Sequence, residues 1–109
     1  MILDEIIRRT EKRVARLPAS FPEPPLCNHA SLAGAIRSKN GCNAVIAEIK
    51  CASPSRGIIR RNVDMQMMGR ALAGAGCVAI SVLTEPHWFG GSVRDIARVK
   101  EAVAVPVLR

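Results

Sequence analysis

The sequence predicts an α/β fold in which buried parallel strands alternate with single helices. Two short apolar runs without a break, residues 44–50 (AVIAEIK) and 77–83 (CVAISVL), suit strands covered on both faces. Each is followed by a polar loop and then by apolar residues at helical spacing. A third run, residues 105–108, begins another strand, and such strand–helix–strand connections imply parallel pairing with right-handed crossovers.

Two helices are expected ahead of the first strand. Leu3, Ile7, Thr10, Val14 and Leu17 recur at helical spacing, with Ile6 widening the stripe. Arg8, Arg9, Lys12, Arg13 and Arg16 fill the other faces, and Pro18 ends the helix. Residues 18–28 carry four prolines and read as an irregular crossing segment. Ser31 can cap a short helix that runs to about Ser38, closed by Asn40-Gly41. After the first strand, residues 51–62 read as a polar loop. Asp64 can cap a helix to about Ala75, with Met65, Met68 and Leu72 on one face and Met67 also assigned to packing. Gly74 and Gly76 supply its stop signal. Residues 84–91 form the next loop. Ser92 and Asp95 fit a capping box, and Val93, Ile96, Val99 and Val103 mark the apolar stripe of the last helix. Pro106 is tolerable near the start of the third strand.

Composition bounds the function classes. The chain has 109 residues, the size of one domain. Hydrophobic residues make up 49% and charged residues 23%, too apolar for a disordered chain. The uncharged stretch 71–84 is shorter than the ~20 apolar residues a membrane helix needs. The first sixteen residues include Asp4 and Glu5 and no continuous apolar region, so they do not read as a secretory signal. Cys27, Cys42, Cys51 and Cys77 form no CxxC pair, and a reduced, cytoplasmic state is expected. Cys27 and His29 are the one close Cys/His pair and supply fewer ligands than structural zinc requires, so no metal is expected. Sixteen Lys and Arg against nine Asp and Glu give a charge of +7. That charge raises the reading of a basic nucleic-acid-binding module. Aromatics are only 3%, with no stacking residues among basic ones and no recognition-helix pattern, so nucleic acid is not the expected partner.

Chemistry gathers at the strand ends. Ala44, Ile46, Glu48 and Lys50 share one face of the first strand; Val45, Ala47 and Ile49 share the other. The charged pair therefore falls at the strand's C-terminal end, where parallel α/β folds bind ligands. Two readings stand at this point: a structural ion pair, or a Lys that holds an anion with a Glu setting its ionisation. The loop SPSRG (residues 53–57) adds two hydroxyls and a guanidinium. Ser81 is the single polar residue of the second strand and by itself suits a bond to the backbone. Trp88 and Phe89 could wall a flat ligand or anchor their loop. His87 has no Ser or Asp partner at readable spacing and is not taken as a base. No GxxxxGK[ST] or GxGxxG motif supports a nucleotide site.

Three blocks, VIAEIKCASPSRG (45–57), AISVLTEPHWFGGS (79–92) and VPVLR (105–109), strongly resemble the indole-3-glycerol phosphate synthase family. The N-terminal helical extension also looks like that family. The resemblance implies a (βα)8 TIM barrel, of which the chain carries the helical extension (1–43) and the first βαβαβ segment (44–109). It implies a lyase of tryptophan biosynthesis, cytoplasmic and free of metal or organic cofactors. Its substrate would be the phosphorylated anthranilate derivative 1-(2-carboxyphenylamino)-1-deoxyribulose 5-phosphate. Ring closure would release carbon dioxide and water. By matching positions, Glu48 and Lys50 would be the catalytic pair. Ser53 and Pro54 would border the anthranilate moiety, Phe89 would pack on its ring, and Ser81 and Leu83 would point to the barrel interior. Other enzymes of the pathway are candidate partners.

Departures from the pattern are Cys51 and Arg56, where the family commonly has Lys. A barrel needs ~250 residues. The lysine credited as general acid would follow Arg109, and the later carboxylate base and phosphate-binding loops lie further on. The sequence is therefore expected to be the front part of something longer, inactive by itself. Phosphoribosylanthranilate isomerase is a weaker match, because it lacks the long extension and the SPS block. A half-barrel that assembles with itself or a complementing chain is the remaining alternative, motivated by open strand edges.

Overall fold

A computed structural model describes residues 1–20 and 30–109. Most of the proline-rich crossing segment, with Cys27 and His29, lies outside the described residues. Helix α1 spans Ile2–Val14. Its acids Asp4 and Glu5 lie in the first turn and its bases Lys12 and Arg13 in the last, as the helix dipole favours. Arg9 and Arg8 pair with Glu5 at 2.9 and 3.0 Å. The Arg9 hydrogen bond first, and the Arg8 charge next, hold the Glu5 carboxyl below its ordinary range. Helix α2 spans Leu32–Arg37, and Ser31 caps it as expected, its Oγ accepting from the Gly34 N–H at 3.0 Å.

Strand β1 is Ile46–Ile49, β4 is Ala79–Val82 and β5 is Val107–Leu108. They form one parallel sheet in the order β1-β4-β5. Helix α3 (Met65–Gly74) starts at Asp64, whose carboxylate accepts from the Met67 N–H at 2.9 Å. It stops at Gly76, whose φ of +100° suits glycine. Helix α4 (Arg94–Ala102) forms half of the predicted box: Asp95 accepts from the Ser92 N–H, but Ser92 Oγ accepts from the Arg94 N–H rather than that of Asp95, and the cap position falls to Val93 with no side-chain cap.

The core lies between β4 and the two helices that flank it in sequence. Ile49, Met65, Ile80, Val82 and Val99 form it, with Met68, Leu72, Cys77, Ile96 and Val103 packed against it. Gly69 lets α3 and α4 approach closely, because a Cβ there would stand 3.2 Å from a Val103 methyl. The two N-terminal helices go to opposite ends of the sheet. Arg13 of α1 reaches Glu85, just past the C-terminal end of β4. Ala35 and Ser38 at α2 share a groove of about 380 Å³ with Val78, Val105 and Pro106 at the other end. No helix among the described residues is long and apolar enough to cross a membrane.

Several further expectations need correction. Strand β1 is not covered on both faces: Val45 is 55% and Ile46 44% exposed. Among the described residues it is a marginal strand, paired with β4 alone, and α3 packs on β4 rather than over it. The loop at 51–62 holds a small antiparallel hairpin, β2 (Ala52–Ser53) with β3 (Gly57–Ile58). Gly57, at φ +62°, allows its turn. Met67 and Val93, assigned to packing, are 63% and 57% exposed. Met67 lies on α3 between the buried positions Met65 and Gly69, turned away from the face they share. Val93 lines the groove toward α1 instead of the core. Ser81 Oγ bonds the Glu48 side chain rather than the backbone.

One substitution has opposite signs at two glycines. A Cβ at Gly91 would overlap the Leu83 carbonyl, so Gly91→Ala is expected to destabilise by about 3 kcal/mol. Gly74 meets nothing within 4 Å and sits in a helix, so Gly74→Ala should stabilise by about 0.5 kcal/mol. Urea midpoints that move the same way for both would contradict this account.

Candidate active site at the strand ends

Strand alternation puts Glu48 on the face opposite the helical core, and register puts Ser81 directly beside it. Ser81 Oγ donates to Glu48 Oε2 at 3.2 Å. Lys50 Nζ stands 3.0 Å from Glu48 Oε1. The same ammonium lies 5.8 Å from the centre of the Phe89 ring, in cation–π range. Four predicted residues thus meet: Glu48, Lys50, Ser81 and Phe89. Their polar atoms remain open, with Glu48 44% and Lys50 37% exposed. An aromatic face beside an accessible ammonium can take a flat ring bearing an anionic group.

The other predicted residues are near but not joined to this group. Leu83 follows β4, half-buried, its N–H donating to the Ile49 carbonyl at 3.3 Å. Ser53 and Pro54 lie on the β2–β3 hairpin. The Ser53 hydroxyl is used locally, accepting from the Arg56 N–H at 3.2 Å. The hairpin base and the Phe89 loop touch at Gly90, whose added Cβ would sit 3.5 Å from the Ala52 Cβ. Burial first, then the charge of Asp95, pushes the Cys51 thiol upward, so it remains a thiol rather than a nucleophile. No cluster of three or more metal-binding side chains occurs among the described residues.

Two contributors escaped the sequence reading. Leu108 is the register partner of Ser81 on the far side, so it extends the Glu48–Ser81 row across the sheet. Its signal was the strand position, two residues after Pro106. Glu85 is the second. Its Oε1 accepts from the His87 N–H and the Arg13 guanidinium, each at 3.1 Å. Its Oε2 accepts from the Trp88 N–H at 2.6 Å and the Phe89 N–H at 3.3 Å. A carboxylate just before a short loop, able to collect that loop's amides, was the available signal. Trp88 turns toward α1, where the Arg9 guanidinium lies 5.9 Å from its ring, and the His87 ring meets it edge-on. The two aromatics therefore do not form a single wall.

Burial raises the Glu85 value, but the bonds from Trp88, His87, Arg13 and Phe89 outweigh it, and the net direction is down from 4.5. A carboxyl depressed in the folded state contributes stability above its ordinary value and loses it as pH falls through the lower one. Acid titration of Trp88 emission should therefore show the loop released below pH 4.5, and Glu85→Gln should remove that transition. A His87→Asn background keeps imidazole quenching out of the signal. An identical acid transition in Glu85→Gln would contradict this assignment.

The family profile for indole-3-glycerol phosphate synthase matches residues 3–109. The chain is 40% identical to the indole-3-glycerol phosphate synthase of Campylobacter curvus, over all of this chain and 45% of that protein. It is 42% identical to that of Geobacillus thermodenitrificans, over 99% of this chain and 42% of the relative. For the Burkholderia multivorans protein the identity is 40%, over 99% and 44%. The chain thus spans less than half the length of the relatives it matches. With the profile covering nearly every residue, the chain belongs to the indole-3-glycerol phosphate synthase family.

Proposed function

We propose that the chain is the N-terminal segment of a single (βα)8 barrel, with a helical extension at 1–43 and the first βαβαβ segment at 44–109. The barrel acts as an indole-3-glycerol phosphate synthase, a cytoplasmic carboxy-lyase of tryptophan biosynthesis. Its substrate is 1-(2-carboxyphenylamino)-1-deoxyribulose 5-phosphate. The observation that carries this reading is the Glu48–Lys50–Ser81–Phe89 group at the C-terminal strand ends.

The residues suit the reaction. The carboxylated ring carbon must bond to the ketone carbon of the sugar chain. The carboxylate then leaves as carbon dioxide, and the new hydroxyl leaves as water. Phe89 offers a face for the anthranilate ring. Lys50 binds the substrate's anionic groups and assists proton transfer beside the general-acid lysine expected after Arg109. Glu48 orients Lys50 and, through Ser81, is itself held on the strand. Ser53 and Pro54 border the ring from the hairpin, and Leu83 lines the interior. An ion pair this exposed stabilises a fold by at most about 1 kcal/mol, so stability gives little reason for its presence.

The test is formation of the fluorescent indole product. The 109 residues alone are expected to form none. Combined with the remaining segment of a family barrel, the chain should support turnover. Lys50→Met should then lower kcat by about 10²-fold or more. Phe89→Ala should raise KM by about tenfold, roughly 1.4 kcal/mol of binding. Turnover unchanged by Lys50→Met would sink the assignment.

A further inference from the structure

Glu85 makes no contact with the Glu48–Lys50 pair, yet its carboxylate gathers three successive backbone N–H groups of the loop that carries Phe89. We propose that Glu85 is a positioning residue: its carboxylate sets the loop backbone so that the Phe89 ring stands against Lys50, and so defines where a flat aromatic substrate can lie. This rests on the reading of Phe89 and Lys50 as a binding pair.

The geometry separates this role from simple anchoring. Glu85 is 15% exposed at its side chain, and it holds the loop from within rather than at its rim. One of its oxygens, Oε2, accepts from both Trp88 and Phe89, so the Phe89 backbone is tied directly to the carboxylate. The ring in turn lies over the Lys50 ammonium. The other oxygen, Oε1, meets Arg13, which ties α1 to the same point. Loss of Arg13 leaves all three amide bonds available. Loss of the carboxylate charge weakens every one of them, because hydrogen bonds to an ionised acceptor are about twice as strong as neutral ones. The carboxylate, not the helix, is therefore the element that aims Phe89.

The experiment reads the Lys50–Phe89 contact itself. With the Lys50 ammonium 5.8 Å from the ring centre, its ε-methylene protons are expected to be displaced upfield by the Phe89 ring current, and Phe89→Ala defines complete loss of that displacement. In the folded 109-residue chain, Glu85→Gln is expected to lose at least half of it. Arg13→Ala should keep most of it. The Ile80 and Val99 methyl signals serve as the check that the core is intact, and Glu85→Ala provides a second variant without the carboxylate if Glu85→Gln fails to fold. Full displacement in a folded Glu85→Gln or Glu85→Ala chain would overturn the proposal. So would an Arg13→Ala chain that loses as much as Glu85→Gln. In the completed barrel, Glu85→Gln should raise KM several-fold more than it lowers kcat. Absence of turnover in the unsubstituted barrel would count against the proposed reaction, while the Lys50 displacement would still decide the role of Glu85.

Discussion

The central strand is the constraint from which the rest follows. β4 is the strand of the parallel sheet with neighbours on both sides, and Ala79, Ile80 and Val82 are almost fully excluded from water. The pleat leaves no freedom in what its two faces do. Ile80 and Val82 fill the space under α3 and α4, so Ser81 must point the other way. A slip of one residue would bury the hydroxyl and expose two large aliphatic side chains. Packing on the helical face thus fixes the height of Ser81. Ladder pairing then fixes Glu48 on one side of it and Leu108 on the other. The polar row is precise because an apolar core, on the opposite face, makes it so.

Much of this was legible in the residues. Apolar runs separated by helical stretches revealed the alternating elements, and caps at Ser31 and Asp64 marked two helix starts correctly, while Ser92 bonds the Arg94 amide from one residue ahead of the actual cap position. Those signals are local, a side-chain oxygen meeting an amide two or three residues on. The face shared by Glu48 and Lys50 was legible for the same reason, since it needs only the strand period. What escaped depended on distant partners. The exposure of Val45 and Ile46 follows from the rank of β1 at the sheet margin, which an apolar run does not encode. The hairpin at 52–58 has strands of two residues each, too short for an alternation to register. Glu85 sat unnoticed because its partners combine an adjacent loop with an arginine on the first helix.

The arrangement divides labour between a rigid floor and adjustable walls. Glu48 and Ser81 stand on paired strands. Phe89 and the hairpin residues stand on loops that meet at Gly90. Binding residues on loops above a rigid sheet are the usual arrangement in parallel α/β folds. In this chain the loop above β4 is further constrained by a single carboxylate, which makes it behave more like an extension of the strand. The thiol at Cys51, pushed toward its neutral form, adds no competing nucleophile beside these groups.

The marginal position of β1 also bears on how copies of the chain would meet. Its outer edge presents backbone donors and acceptors without a partner among the described residues, flanked by the exposed Val45 and Ile46. Such an edge is a template for strand addition by another copy. The +7 charge opposes that encounter, because like-charged molecules repel before their edges can align. The repulsion acts over about 10 Å at 0.1 M salt and shrinks as salt is added. Dispersal of these 109 residues by themselves is therefore expected to depend on ionic strength, through charge spread over the surface.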